Sequence, residues 1–208
     1  MKVSKKTLLI GIVVVVLVGA LLFSTYLNIN INNSLQASLK NNRNAFNDGL
    51  FNFHRSLDEA TRIDEPNADN IEALIKDLWY KMFNSWMSLR VMEHLKPELS
   101  GYEKPLHFVD RFIDYTFLSG QSSTGGPNVQ SVLENLLSQA KGSGNYSIVV
   151  TAFKELNQTS FKKMRELAFE VTESFYTPFN ATRLDNTVDI VQELESILGE
   201  WTDKYENV

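Results

Sequence analysis

Residues 71–92 read IEALIKDLWYKMFNSWMSLRVM. Apolar side chains recur at Ile71, Leu74, Ile75, Leu78, Trp79, Met82, Phe83, Trp86, Leu89 and Met92, in steps of three and four. That is the period of a helix; a strand would alternate. The arc is too wide for one neighbour, so this helix is expected at the centre of an all-α bundle, its most buried member, with Trp79 and Trp86 in the core. Asp69 with Glu72 reads as a capping box at its start, and Pro97 stops it after about Leu95.

The same period continues on both sides. Leu35, Leu39, Asn42, Phe46, Leu50, Phe53 and Leu57 predict a helix over Leu35–Ala60, separated from the central one by Pro66. Beyond Gly101 and Pro105, Val109, Phe112, Ile113 and Phe117 predict a shorter helix at Leu106–Leu118. Ser119–Asn128, SGQSSTGGPN, reads as a loop. Further helices are expected at Val129–Ala140, at Ser147–Tyr176 up to Pro178, and at Asn186–Tyr205. Nowhere does a strand-like alternation persist, so residues 35–208 are expected to form a bundle of five to six helices.

Outward to the N-terminus, Leu8–Phe23 carries no charge and follows Lys2, Lys5 and Lys6. Leu8–Leu27 as a helix spans about 30 Å, the thickness of a bilayer core. Residues 7–27 are therefore expected to be a transmembrane signal-anchor, and residues 1–6 a cytoplasmic n-region placed by the positive-inside rule. The domain behind them is then outside the cytoplasm. The alternative is a secreted protein cleaved near Ala20, although Leu21-Leu22-Phe23 prolongs the apolar run where a cleaved signal turns polar. Residues 28–34, containing NININN, are expected to be a flexible stalk, because asparagine side chains compete for backbone hydrogen bonds, the alternative being a first soluble helix that runs straight out of the anchor.

Beyond Leu27 lie 17 of the 20 basic residues and all 25 acidic ones, a formal charge of −8. That disfavours nucleic acid and anionic lipid as electrostatic partners. From Asp185 onward seven acidic residues face one lysine, the place a basic partner would dock if charge guides it. The absence of cysteine excludes disulfides and thiol chemistry. The asparagine-rich, cysteine-free composition is of a bacterial kind.

The side chains offer little chemistry. His54, His94 and His107 are the only histidines. In a hairpin around Pro66, His54 and His94 fall about 14 Å and 36 Å from the turn, too far apart to share an ion. GQSSTGGP has no lysine and follows no strand, so it is no nucleotide loop. Glu193/Glu195 and Glu170/Glu173 lie between apolar helix positions on the solvent side, not in a cleft. Trp79, Phe83 and Trp86 share one face and could cage a ligand, but core is the expected role. No catalytic, metal or cofactor residue is expected, and no enzyme activity. The organisation is similar in outline to bacterial helical sensor domains, without a shared motif; a second apolar segment, as in sensors that return through the membrane, is missing. The expected function is a membrane-anchored interaction or assembly module whose partner is another envelope protein, with a small-ligand-binding domain and an enzyme of unrecognised type as alternatives.

Overall fold

A computed structural model of the protein describes residues 5–95, 103–118, 128–175 and 180–206, of which 5–13, 103, 104 and 181 by backbone alone. Among the described residues the chain is all-α. Its helices are α1 (Lys5–Ala60), α2 (Ala68–Leu95), α3 (Glu103–Ile113), α4 (Val129–Ser143), α5 (Ser147–Ser174) and α6 (Ala181–Glu206), and a π-helical turn at Asp114–Leu118 continues α3. The chain divides into two units, residues 1–40 and 41–208, and α1 belongs to both.

In the first unit α1 is a bare helix. Every side chain from Val14 to Ser34 is exposed. An apolar window here is long enough to cross a bilayer and none of it is buried; an N-terminal signal sequence fits the same description. The backbone remains helical through Asn28–Asn33, where the sequence had suggested a stalk. Once the apolar run has nucleated the helix, each further residue costs little. Asparagine's disadvantage of up to about 0.7 kcal/mol per residue is too small to break it.

The second unit is a helical bundle. Phe46, Leu50, Phe53, Leu57 and Ala60 bury the inner stripe of α1, and Ile71, Ile75, Leu78, Met82, Leu89 and Met92 that of α2. The two helices approach closely at Gly49. A Cβ there would collide with Ser85 Oγ and lie 3.0 Å from the Lys81 carbonyl oxygen. The turn between them is capped two residues earlier than the sequence suggested. Asn67 Oδ1 accepts from the Asp69 and Asn70 backbone N–H groups at 3.1 Å, while the Asn67 N–H donates to Asn70 Oδ1 at 3.0 Å. This reciprocal pair is a capping box built from asparagines. Glu72 is thereby released to bond Lys76 at 2.7 Å and Lys141 of α4 at 3.0 Å, and these two amines lower its carboxyl to about 2.

The centre of the bundle is not where the sequence put it. Ten of the 28 residues of α5 are buried, against eight of 28 in α2. α5 and α6 pack on each other along their lengths. They run antiparallel and are fastened at four levels. Trp201 Nε1 donates to the Ala152 carbonyl at 3.1 Å, and Lys204 holds Glu155 at 2.6 Å. Lys163 holds Glu193 at 2.6 Å, and Arg183 meets Glu170 at 3.3 Å. α6 starts at Ala181, earlier than Asn186, because Leu184 and Thr187 are fully buried and extend its inner stripe by a turn. The expected loop Ser119–Pro127 and the stops at Pro97 and Pro178 lie outside the described residues. Asn128 caps α4 by accepting from the Ser131 N–H at 2.8 Å. Gly144 closes it with φ 73°, a conformation glycine adopts without penalty.

Candidate functional site

Large apolar side chains left in water mark where a helical bundle meets something else. Phe51 on α1 is 56% exposed and Phe169 on α5 is 53% exposed, with Phe161 a further exposed aromatic on α5. Phe51 and Phe169 line a groove of about 390 Å³ between the two helices, with Leu50, Met164, Ala168 and Arg165 also in its walls. On α5 the inward stripe runs through Met164, Leu167, Ala168 and Val171. Phe161 and Phe169 sit off that stripe, eight residues apart on the outward side. The sequence carried this signal as two aromatics out of register with the stripe, and reading for the core alone missed it.

His54 lies on the groove floor and is only 3% exposed. Its Nδ1 is 3.0 Å from Asn157 Oδ1. An amide oxygen only accepts, so Nδ1 carries the proton and Nε2 is the bare nitrogen, which has no partner. The ring packs edge-on against Phe161 at 5.0 Å and Phe53 at 5.3 Å. Burial pulls its pKa down to about 4, against the bond to Asn157, so the imidazole is neutral at pH 7. Of the three histidines, His94 and His107 are exposed, whereas His54 is a core residue. No group of three or more His, Asp or Glu is placed to share a metal ion among the described residues.

The tryptophan face differs from expectation too. Trp79 is 37% exposed and Trp86 half-buried. Trp79 stacks on Phe83 at 5.3 Å, Phe83 leans on Trp86 at 5.9 Å, and Arg90 caps Trp86 at 4.9 Å while pairing with Asp110 at 2.8 Å. These rings form a ladder along the flank of α2. Ile75, Leu78 and Met82 take the inner positions instead, because ten apolar residues in one arc exceed what the neighbours cover.

One polar cluster has the atoms of a serine–lysine dyad. Ser56 Oγ donates to Asp77 Oδ2 at 2.8 Å and accepts from Lys81 Nζ, which pairs with Asp77 at 2.5 Å. A lysine acting as base must be neutral. Lys81 is instead ion-paired to Asp77, and Ser56 at 1% exposure is out of a substrate's reach. The cluster braces α1 against α2. Of the carboxylates weighed as acid–base pairs, Glu193 is bound to Lys163 and Glu170 to Arg183, while Glu173 lines the groove, where the sequence had placed it outside any cleft. Groove, exposed phenylalanines and buried imidazole thus make up the candidate site. No family model matches this chain, and no curated protein and no solved structure matches it either.

Proposed function

We propose that this protein is a membrane-anchored interaction module, held at the outer face by residues 7–27, that associates with an envelope protein through the α1–α5 groove. One observation carries the reading: Phe51 and Phe169 stand in solvent on the α1 and α5 walls of a concave surface. Aromatic side chains are enriched among the residues that anchor an interface. The tether supports it, since confinement to one membrane raises a partner's effective concentration without any new contact. In this reading the protein turns over no substrate.

Affinity capture of the full-length chain from its native membrane tests it, run beside the Phe51→Ser/Phe169→Ser variant. The expected result is a partner retained by the parent chain and lost with the variant. Equal recovery of every captured chain by both would remove the groove from the reading. Turnover by the purified parent chain in a broad substrate screen would overturn it altogether.

The bare Nε2 of His54 favours a second reading, in which the groove takes a small apolar ligand carrying a hydrogen-bond donor. Its volume suits one, since ligand pockets begin at about 300 Å³. Displacement of His54 ring resonances by an indole or phenol titrant would support that reading, and their invariance would remove it.

A further inference from the structure

Along the outer edge of the groove, α5 presents Arg165, Phe169 and Glu173 at i, i+4 and i+8, one row of the helix surface. Phe169 stands 53% exposed at its centre, with the Arg183 guanidinium, itself paired with Glu170, 5.1 Å from the ring centre. Arg165 touches the Phe161 ring at 5.7 Å. Neither it nor Glu173 has an ion-pair partner among the described residues, and about 12 Å of helix separates them. The row reads cation, aromatic, anion with equal spacing. A two-fold axis through Phe169 carries such a row onto its own complement: Arg165 falls opposite the other copy's Glu173, Glu173 opposite its Arg165, and the two rings meet between them.

We propose that the occupant of the α1–α5 groove edge is a second copy of this chain, docked by α5 against α5 in antiparallel register about Phe169. This rests on the groove as the site of association in the reading above, not on confinement of both copies to one membrane, and names the partner for that site. The same patch serves both copies, as a closed two-fold contact requires. Charge excludes the alternative parallel register, which would set Arg165 against Arg165 and Glu173 against Glu173. It also separates a second copy from an arbitrary acidic or basic partner, which would satisfy one charge of the row and oppose the other. Phe51, across the groove from Phe169, widens the apolar patch.

The test uses the full chain in detergent micelles, where either relative orientation is open to it. Sedimentation equilibrium is run on the parent protein, on Arg165→Glu, on Glu173→Arg and on the double variant. The parent chain is expected to dimerise. Each single reversal places two like-charge pairs in the contact and should weaken dimerisation by about tenfold or more. The double reversal restores both pairs and should recover the parent constant. Both positions face solvent at least in part, and circular dichroism checks that the variants keep their helices. Because the chain has no cysteine, Phe169→Cys gives an independent readout: oxidation should link the copies through that single thiol.

A parent chain that stays monomeric overturns the proposal. So does a dimer indifferent to the single reversals, which would point to pairing through α1, or a double variant no tighter than the singles. A monomer would leave the association reading intact if capture returns a different chain lost with the phenylalanine variant, so the two failures are distinguishable.

Discussion

At the scale of single residues, His54 gives this protein a dependence on acid. Its folded-state pKa of about 4 lies below the value of 6.5 it has when unfolded. Between these the unfolded chain binds a proton that the folded chain does not, so stability is full above the upper value and is lost as pH falls through the window. The loss approaches about 3 kcal/mol by pH 4. Carboxylates such as Glu72 and Glu155, held low by their lysines, add their own loss further down. Comparing urea midpoints of the parent chain and His54→Gln at pH 7 and pH 4.5 isolates the histidine; the variant should show the shallower fall. Gly49 makes a second prediction at this scale. Gly49→Ala forces a methyl between Ser85 and the Lys81 carbonyl and should destabilise the fold by about 1–3 kcal/mol, the usual range for overpacking. Adding Ser85→Ala removes the hydroxyl but not the carbonyl, so a thermal melt of the double variant should recover part of the loss.

At the scale of elements, helix existence was legible and helix rank was not. Steps of three and four fixed the helical stripes of α1, α2, α4 and α5, since periodicity is a local property of the chain. Which of several apolar positions turns inward depends on what lies opposite. α2 offers ten apolar residues in one arc, and only the neighbours decide that Met82 is buried while Trp79 flanks the bundle. Truncation measures that choice. Met82→Ala should cost about 2–5 kcal/mol, as for an emptied core site. Trp79→Ala should cost clearly less, because more than a third of its surface is already in water. Denaturant titration of the two variants ranks them, and equal losses would return Trp79 to the core. The capping of α2 was misplaced for a related reason: Asp69/Glu72 and Asn67/Asn70 both fit the spacing, and Glu72 is drawn off by Lys141, 69 residues further on. The candidate groove was legible only in part. The sequence gives the phase of Phe161 and Phe169 on α5, but nothing local pairs them with Phe51 or brings His54 to Asn157.

For the whole molecule, the apolar stretch of α1 from Val14 onward is exposed, and that bears on the form in which the chain persists. If residues 7–27 stay as a signal-anchor, the mass of the membrane-extracted protein will include them; a mature N-terminus at Leu21 would make the protein a secreted one. Charge at this scale is more partitioned than a net value suggests. The acidic run from Asp185 gives Glu193 to Lys163, while its one lysine, Lys204, goes to Glu155. What remains for an outside partner is Asp185, Asp189, Glu195, Glu200, Asp203 and Glu206, all exposed.

The four fastenings between α5 and α6 also bear on the order in which the bundle assembles. These helices follow one another in the chain, with only 175–180 between them, so the loop that closes their hairpin is short and its entropy cost small. Contacts near in sequence form early and let go late. Burial of Tyr205, whose phenol is pushed up to about 12 first by desolvation and then by its bond to Glu155, seals the end where Trp201 meets Ala152. Backbone amides on the facing sides of these two helices should therefore be the last to trade their hydrogens for deuterium. The protein would loosen from α1 and α2 inward, with the α5–α6 hairpin as the piece still standing.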